Sequence, residues 1–122
     1  MTARETWTGE WRNQYGSALR IADDSGGRLT GTFRTALSDS GFAGFEAEIT
    51  GIHTGNCVHF AFARTGQAGD KIASFTGLLR DGRMETLWHV VSDAAAEPDG
   101  LRKLPWAHAA MTSADTFERV TT

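Results

Sequence analysis

Turn signals recur along this chain at intervals of roughly eight to twelve residues, and that punctuation constrains the fold more than any other feature. "DDSGG" at 23–27, "TGQAGD" at 65–70 and "RDG" at 80–82 are the clearest breaks. In such clusters Gly supplies positive φ without steric cost, and Asp closes a local turn with its own side chain. The segments between them read as short strands at 6–13, 17–22, 28–36, 44–52, 56–64, 71–79, 83–92 and 112–120. None carries a convincing helical period, so the expected class is all-β, a sandwich or an up-and-down barrel. The exception is 93–111, a long link with room for a helical turn.

One domain over residues 1–122 accommodates this set, because the length is enough for one core and too short for two. A formal net charge of −3, with basic residues scattered from Arg4 to Arg119, has the wrong sign and pattern for a phosphate-tracking surface. Nucleic acid is therefore not an expected partner. No apolar run approaches the roughly 20 residues that cross a bilayer, so no membrane association is expected. "MTARETWTGEW" has no apolar segment followed by a small-residue cleavage site, so no signal peptide is expected, and the compartment is left open. Cys57 stands alone, which rules out an intrachain disulfide and leads us to expect a small buried hydrophobe there.

Alternation assigns side chains to faces, since successive residues of a strand point to opposite sides. Trp7, Trp11 and Asn13 fall together, as do Ser17, Leu19 and Ile21, then Gly31, Phe33 and Thr35. Further along, Val58, Phe60 and Phe62 share a face, as do Lys71, Ala73 and Phe75, and Met84, Thr86, Trp88 and Val90. Asp115 and Phe117 share the last. Each apolar face carries aromatic or aliphatic residues, and toward one end several carry a polar group. Asn13, Ser17, Thr35 and Asp115 are thus expected to point inward. Left unsatisfied, each would cost roughly 1–3 kcal/mol. Buried water or mutual hydrogen bonds would satisfy them, and so would a ligand with several donors and acceptors held in a barrel mouth.

Other chemistry is thinly represented. His53, His59, His89 and His108 form no H-x-x-x-H pair, and Cys57-x-His59 supplies only two ligands on one face, so no metal site is expected. No Ser is presented as an activated nucleophile, and no phosphate-binding glycine loop occurs. An enzyme using Asp115 as a general base stays open as an alternative.

"WRNQYGSALRI", "GRLTGTFRTAL", "AEITG", "ETLWHVVS" and "ADTFERV", in this order and over about residues 9–120, resemble the avidin and streptavidin family of biotin-binding barrels. The resemblance implies an eight-stranded antiparallel up-and-down β-barrel without catalytic activity, with biotin as its ligand and no cofactor. It implies that Asn13 and Ser17 donate to the ureido oxygen, that Thr35 and Asp115 accept from the ureido nitrogens, and that Phe62, Phe75 and Trp88 form apolar walls. Trp106 resembles the tryptophan that capping subunits lend to a neighbour's site, although its spacing to Asp115 is one residue longer than the family pattern. A homodimer or homotetramer is implied, with Leu87, Thr112 and Ala114 facing outward where barrels pack.

Four positions depart from the family pattern. Phe33 stands where a Tyr gives a third donor to the ureido oxygen. Ala73 stands where a Thr lies near the biotin sulfur, and Phe62 replaces a wall Trp. Lys71 replaces a Ser near the ligand carboxylate; it reads either as a partner for a bound acid or as an ordinary solvated Lys at a strand start. These departures imply biotin binding weaker than that of the best-known members, or a shift toward another small, acidic ligand.

Overall fold

A computed structural model describes residues 6–38, 40, 42–65, 69–93 and 102–120. The strands are β1 (Gly9–Asn13), β2 (Ala18–Asp23), β3 (Arg28–Arg34), β4 (Ala47–Thr54), β5 (Cys57–Arg64), β6 (Lys71–Arg80), β7 (Arg83–Ser92) and β8 (Ala110–Arg119), with a one-turn helix α1 (Trp106–Ala109) before β8. Each strand pairs antiparallel with the next, and β8 returns to pair with β1. The result is a closed up-and-down barrel, the all-β architecture expected, and the sandwich alternative falls away. Closure leaves no free sheet edge.

Strand limits differ from expectation where the backbone turns. β1 begins at Gly9, whose φ of 129° breaks the extended run, so Trp7 precedes the strand. β4 begins at Ala47 rather than 44, because Gly44 adopts φ 84° within a string of turns. β8 begins earlier than expected, at Ala110, since its ladder with β7 runs on to the pair Val91↔Ala110. Part of the long link, 94–101, lies outside the described residues, and α1 is the helical turn expected within it. The tip of the turn at 65–70 also lies outside them.

The closed end is packed with large apolar groups. Trp7, Trp11, Leu19, Ile21, Leu29, Phe60, Met84 and Phe117 are almost wholly inaccessible. Trp11 donates its indole N–H to the Trp7 carbonyl at 2.9 Å, and the Arg119 guanidinium lies 4.3 Å from the Trp11 ring centroid. Inward-facing glycines allow neighbouring strands to coil closely there. A Cβ at Gly31 would lie 1.9 Å from the Arg20 carbonyl oxygen, and one at Gly51 would lie 2.0 Å from that of His59. Only a residue without a Cβ fits such approaches. At the β2–β3 turn the Asp23 carboxylate accepts the Ser25 N–H at 2.9 Å, and this bond above all holds its pKa below the usual value.

Cys57 is a correction. It is exposed, because it opens β5 on the outward parity, opposite Val58, Phe60 and Phe62. Strand alternation decides its place against the general tendency of thiols to be buried.

Candidate functional site

The site begins in the β1–β2 turn, at "WRNQYGS". β1 ends at Asn13 because the chain turns there: the Gly16 N–H donates to the Asn13 carbonyl at 3.0 Å, and Gly16 takes φ 86°. The Asn13 side chain reinforces the turn, its Oδ1 accepting from the backbone N–H of Tyr15 at 3.0 Å and of Ser17 at 2.9 Å. With its oxygen committed to the turn, the amide presents only N–H to its other side. One of these donates to Asp115 Oδ2 at 3.1 Å. The second hydrogen remains to be donated.

Asp115 reaches the same place from β8, opposite Thr86 on β7, whose hydroxyl donates to the Asp115 carbonyl at 2.8 Å. Its carboxylate is buried and accepts from Asn13 on one oxygen and from Gln14 Nε2, at 3.1 Å, on the other. Each oxygen retains a lone pair for a further donor. Ser17, which is 1% exposed, accepts the Ala36 N–H at 2.8 Å through Oγ, leaving its hydroxyl hydrogen to donate. Thr35 follows β3 and lies with its Oγ1 3.5 Å from that of Ser17, accepting the Leu37 N–H at 3.1 Å.

These four polar groups open onto one solvent-connected cavity that is otherwise lined mainly by apolar side chains. Phe33, Phe62, Ala73, Phe75 and Trp88 form its apolar walls. Phe33 stacks on Phe62 with centroids 4.7 Å apart and planes 18° from parallel, so these aromatics make a flat, rigid surface. The Trp88 indole N–H is buried in the wall and has no hydrogen-bond partner among the described residues. Nine of the eleven residues singled out in the sequence therefore line a single cavity.

Two do not. Lys71 lies one step outward from Ala73 on β6 and lines an adjoining vestibule with Ser92 and Met111. Trp106, in α1, is 71% exposed and does not line the cavity of its own chain.

Gln14 and Phe42 are among the contributors that escaped the sequence reading. Gln14, beside Asn13, bridges the place where β1 stops pairing with β8: its Nε2 reaches the Ala114 carbonyl at 3.4 Å and its Oε1 accepts the Thr116 N–H at 3.0 Å. A side-chain amide thereby continues the β1–β8 ladder while orienting the Asp115 carboxylate. Phe42, from the loop joining β3 and β4, is buried against Phe62 edge-to-face at 5.0 Å and closes one side of the cavity together with Leu37 and Ser40. Among the described residues, no three His, Cys, Asp or Glu side chains gather as a cation site.

The arrangement presents buried donors and acceptors at one side of an aromatic-walled pocket, which serves recognition of a compact polar head on an apolar body. Known proteins share its frame. The structure is similar to that of a bradavidin2–biotin complex, with a TM-score of 0.73, 20% sequence identity, and coverage of 99% of this chain and 100% of that one. It is similar to apo shwanavidin, with a TM-score of 0.75, 21% identity, and coverage of 98% and 100%. It is likewise similar to a rhizavidin–biotin complex, with a TM-score of 0.74, 20% identity, and coverage of 96% and 94%. At such identities these likenesses speak for the fold alone. No curated protein sequence matches the chain. The family assignment rests on the sequence itself, which matches the Avidin family over residues 1–120. The chain belongs to the avidin family of non-catalytic, biotin-binding β-barrels.

Proposed function

We propose that this chain binds biotin in the barrel mouth, without turnover. The observation that carries the reading is the fixed orientation of the Asn13 amide: its oxygen is held by two backbone N–H groups, so it offers the cavity a donor, beside the acceptor oxygens of Asp115. Biotin's ureido group has the complementary pattern, one carbonyl acceptor flanked by two N–H donors. Asn13 and Ser17 donate to the ureido oxygen, and Thr35 and Asp115 accept from the nitrogens. The Asp115 contact is charge-assisted and therefore the strongest of the four. Phe33, Phe42, Phe62, Phe75 and Trp88 enclose the bicycle.

Phe33 brings no hydroxyl and Ala73 no polar contact to the sulfur, so the ureido oxygen has two side-chain donors. Affinity accordingly falls below the strongest in the family, each lost bond costing about 1–3 kcal/mol. The exposed Trp106, Leu87, Thr112 and Ala114 support assembly as a homodimer or homotetramer, in which Trp106 caps a neighbour's cavity.

Isothermal titration with biotin tests the reading. We expect saturable binding at one site per chain, weakened at least 100-fold in Asp115→Ala, because loss of a charged acceptor and its buried network costs about 3 kcal/mol or more. Absence of heat and of thermal stabilisation at millimolar biotin would overturn it.

A further inference from the structure

Arg64 is the last residue of β5 and continues the inward parity of Val58, Phe60 and Phe62, yet it does not line the ligand cavity. Its register partner on β6 is Lys71, and cations opposite one another on a sheet repel. The guanidinium reaches the β3–β4 loop. It donates to the Ala43 carbonyl at 2.8 Å and stands 4.5 Å from the Phe45 ring centroid. Phe45 stacks on Phe42 at 6.3 Å with planes 18° apart, and Phe42 meets Phe62 edge-to-face at 5.0 Å. β5 thus grips the loop at two successive inward positions, with Phe62 in the cavity wall and Arg64 beyond it.

Bonds within the loop do not provide this attachment. The Ser40 N–H donates to the Leu37 carbonyl at 3.2 Å, the Ala43 N–H to the Ser40 carbonyl at 3.1 Å, and the Phe42 N–H to Ser40 Oγ at 3.1 Å. They fold the segment on itself, and none of the three reaches a neighbouring strand. Phe42 is nevertheless 6% exposed in the chain by itself, so the protein's own contacts bury it.

We propose that Arg64 is a positioning residue that fixes the β3–β4 loop against β5 before a ligand arrives, so that Phe42 stands as a ready-made wall of the cavity. Its effect on affinity rests on the biotin reading. A guanidinium suits the task because it is planar and always charged, and it donates in its plane to a carbonyl while its face lies on a ring. A wall ordered in advance spares the ligand the entropy of ordering it.

Hydrogen exchange without ligand and titration with biotin test the role, on the unaltered chain, Arg64→Met, Arg64→Lys, Phe42→Ala and the Arg64→Met/Phe42→Ala double variant. In Arg64→Met, which keeps an apolar stem and loses the cation, the amides of Ser40, Phe42 and Ala43 should exchange about 5- to 20-fold faster, while the β5–β6 ladder keeps its protection. Biotin binding should weaken by about the same factor, the scale of one charged hydrogen bond and one ring contact at a partly exposed place. Arg64→Lys should recover part of both, since an ammonium keeps the charge without the planar fork. The loss of affinity should be equal for biotin and its neutral primary amide, and should shrink to within about twofold in the Phe42→Ala background, because Arg64 acts through that wall. Unchanged loop exchange in Arg64→Met, a loss that persists in full in the Phe42→Ala background, or a loss for the acid alone would overturn the positioning role and leave the biotin reading standing. Failure of the unaltered chain to bind biotin at millimolar concentration, with loop exchange in Arg64→Met accelerated as expected, would overturn the biotin reading and leave the attachment of the loop standing.

Discussion

Asn13 is held at its oxygen by the turn it helps to form, so its amide faces Asp115 and the cavity as a donor. The residues that present hydrogen-bonding groups were legible because strand alternation placed a polar side chain on an otherwise apolar face at Asn13, Ser17, Thr35 and Asp115. Gln14 was not legible. It follows the last residue of β1, where alternation ends, and its partners lie about one hundred residues away on β8. It acts as a positioning residue for Asp115. Gln14→Ala should weaken biotin binding about 5- to 30-fold, the range of roughly 1–2 kcal/mol for a bond to a charged group at an exposed position. Gln14→Glu should weaken it further, because a second carboxylate would face Asp115. Titration of both variants checks this, and equal losses in the two would show that Gln14 serves only to close the ladder.

Regular elements and irregular ones contribute differently to the cavity. The strands supply walls whose parity could be counted from the sequence, and their main errors of extent fell at Gly9 and Gly44, where positive φ ended or delayed pairing. Cys57 shows the same lesson from the other side: counting along β5 placed it outward, and residue-type tendency placed it wrongly inside. The β3–β4 loop has no period to count, so Phe42 could not be assigned to a wall from sequence. In the fold it is buried between Phe62 and Phe45, with centroids 5.0 and 6.3 Å away. Burying a Phe side chain is worth about 1.5–3 kcal/mol. Phe42 is already buried without ligand, so Phe42→Ala should lower stability on that scale and, by opening one side of the cavity, weaken biotin binding in the titration, while leaving the strand signal of the barrel in circular dichroism intact, since no ladder bond depends on its side chain. Unchanged affinity in the titration would remove the loop from the site.

At the scale of the whole molecule, closure of the sheet joins residues from both ends of the chain in one network. Asn13 and Gln14 meet Asp115 because β8 returns to β1, so the barrel must close before the recognition groups exist. The eight-strand count and antiparallel order were legible from turn spacing together with family resemblance. Turn spacing alone did not distinguish a barrel from a sandwich, because both bury one face of alternating strands. Trp106 belongs to this scale as well: it is 71% exposed and does not line the cavity of its own chain, so the capping role proposed for it requires a second subunit. The measurement that tests the central claim most directly is a crystal structure of the protein with biotin. The account predicts the ureido oxygen about 3 Å from Asn13 Nδ2 and Ser17 Oγ, with a ureido nitrogen at a similar distance from an Asp115 carboxylate oxygen. Biotin bound with its ureido group away from Asn13 and Asp115, or an empty cavity at saturating ligand, would contradict it.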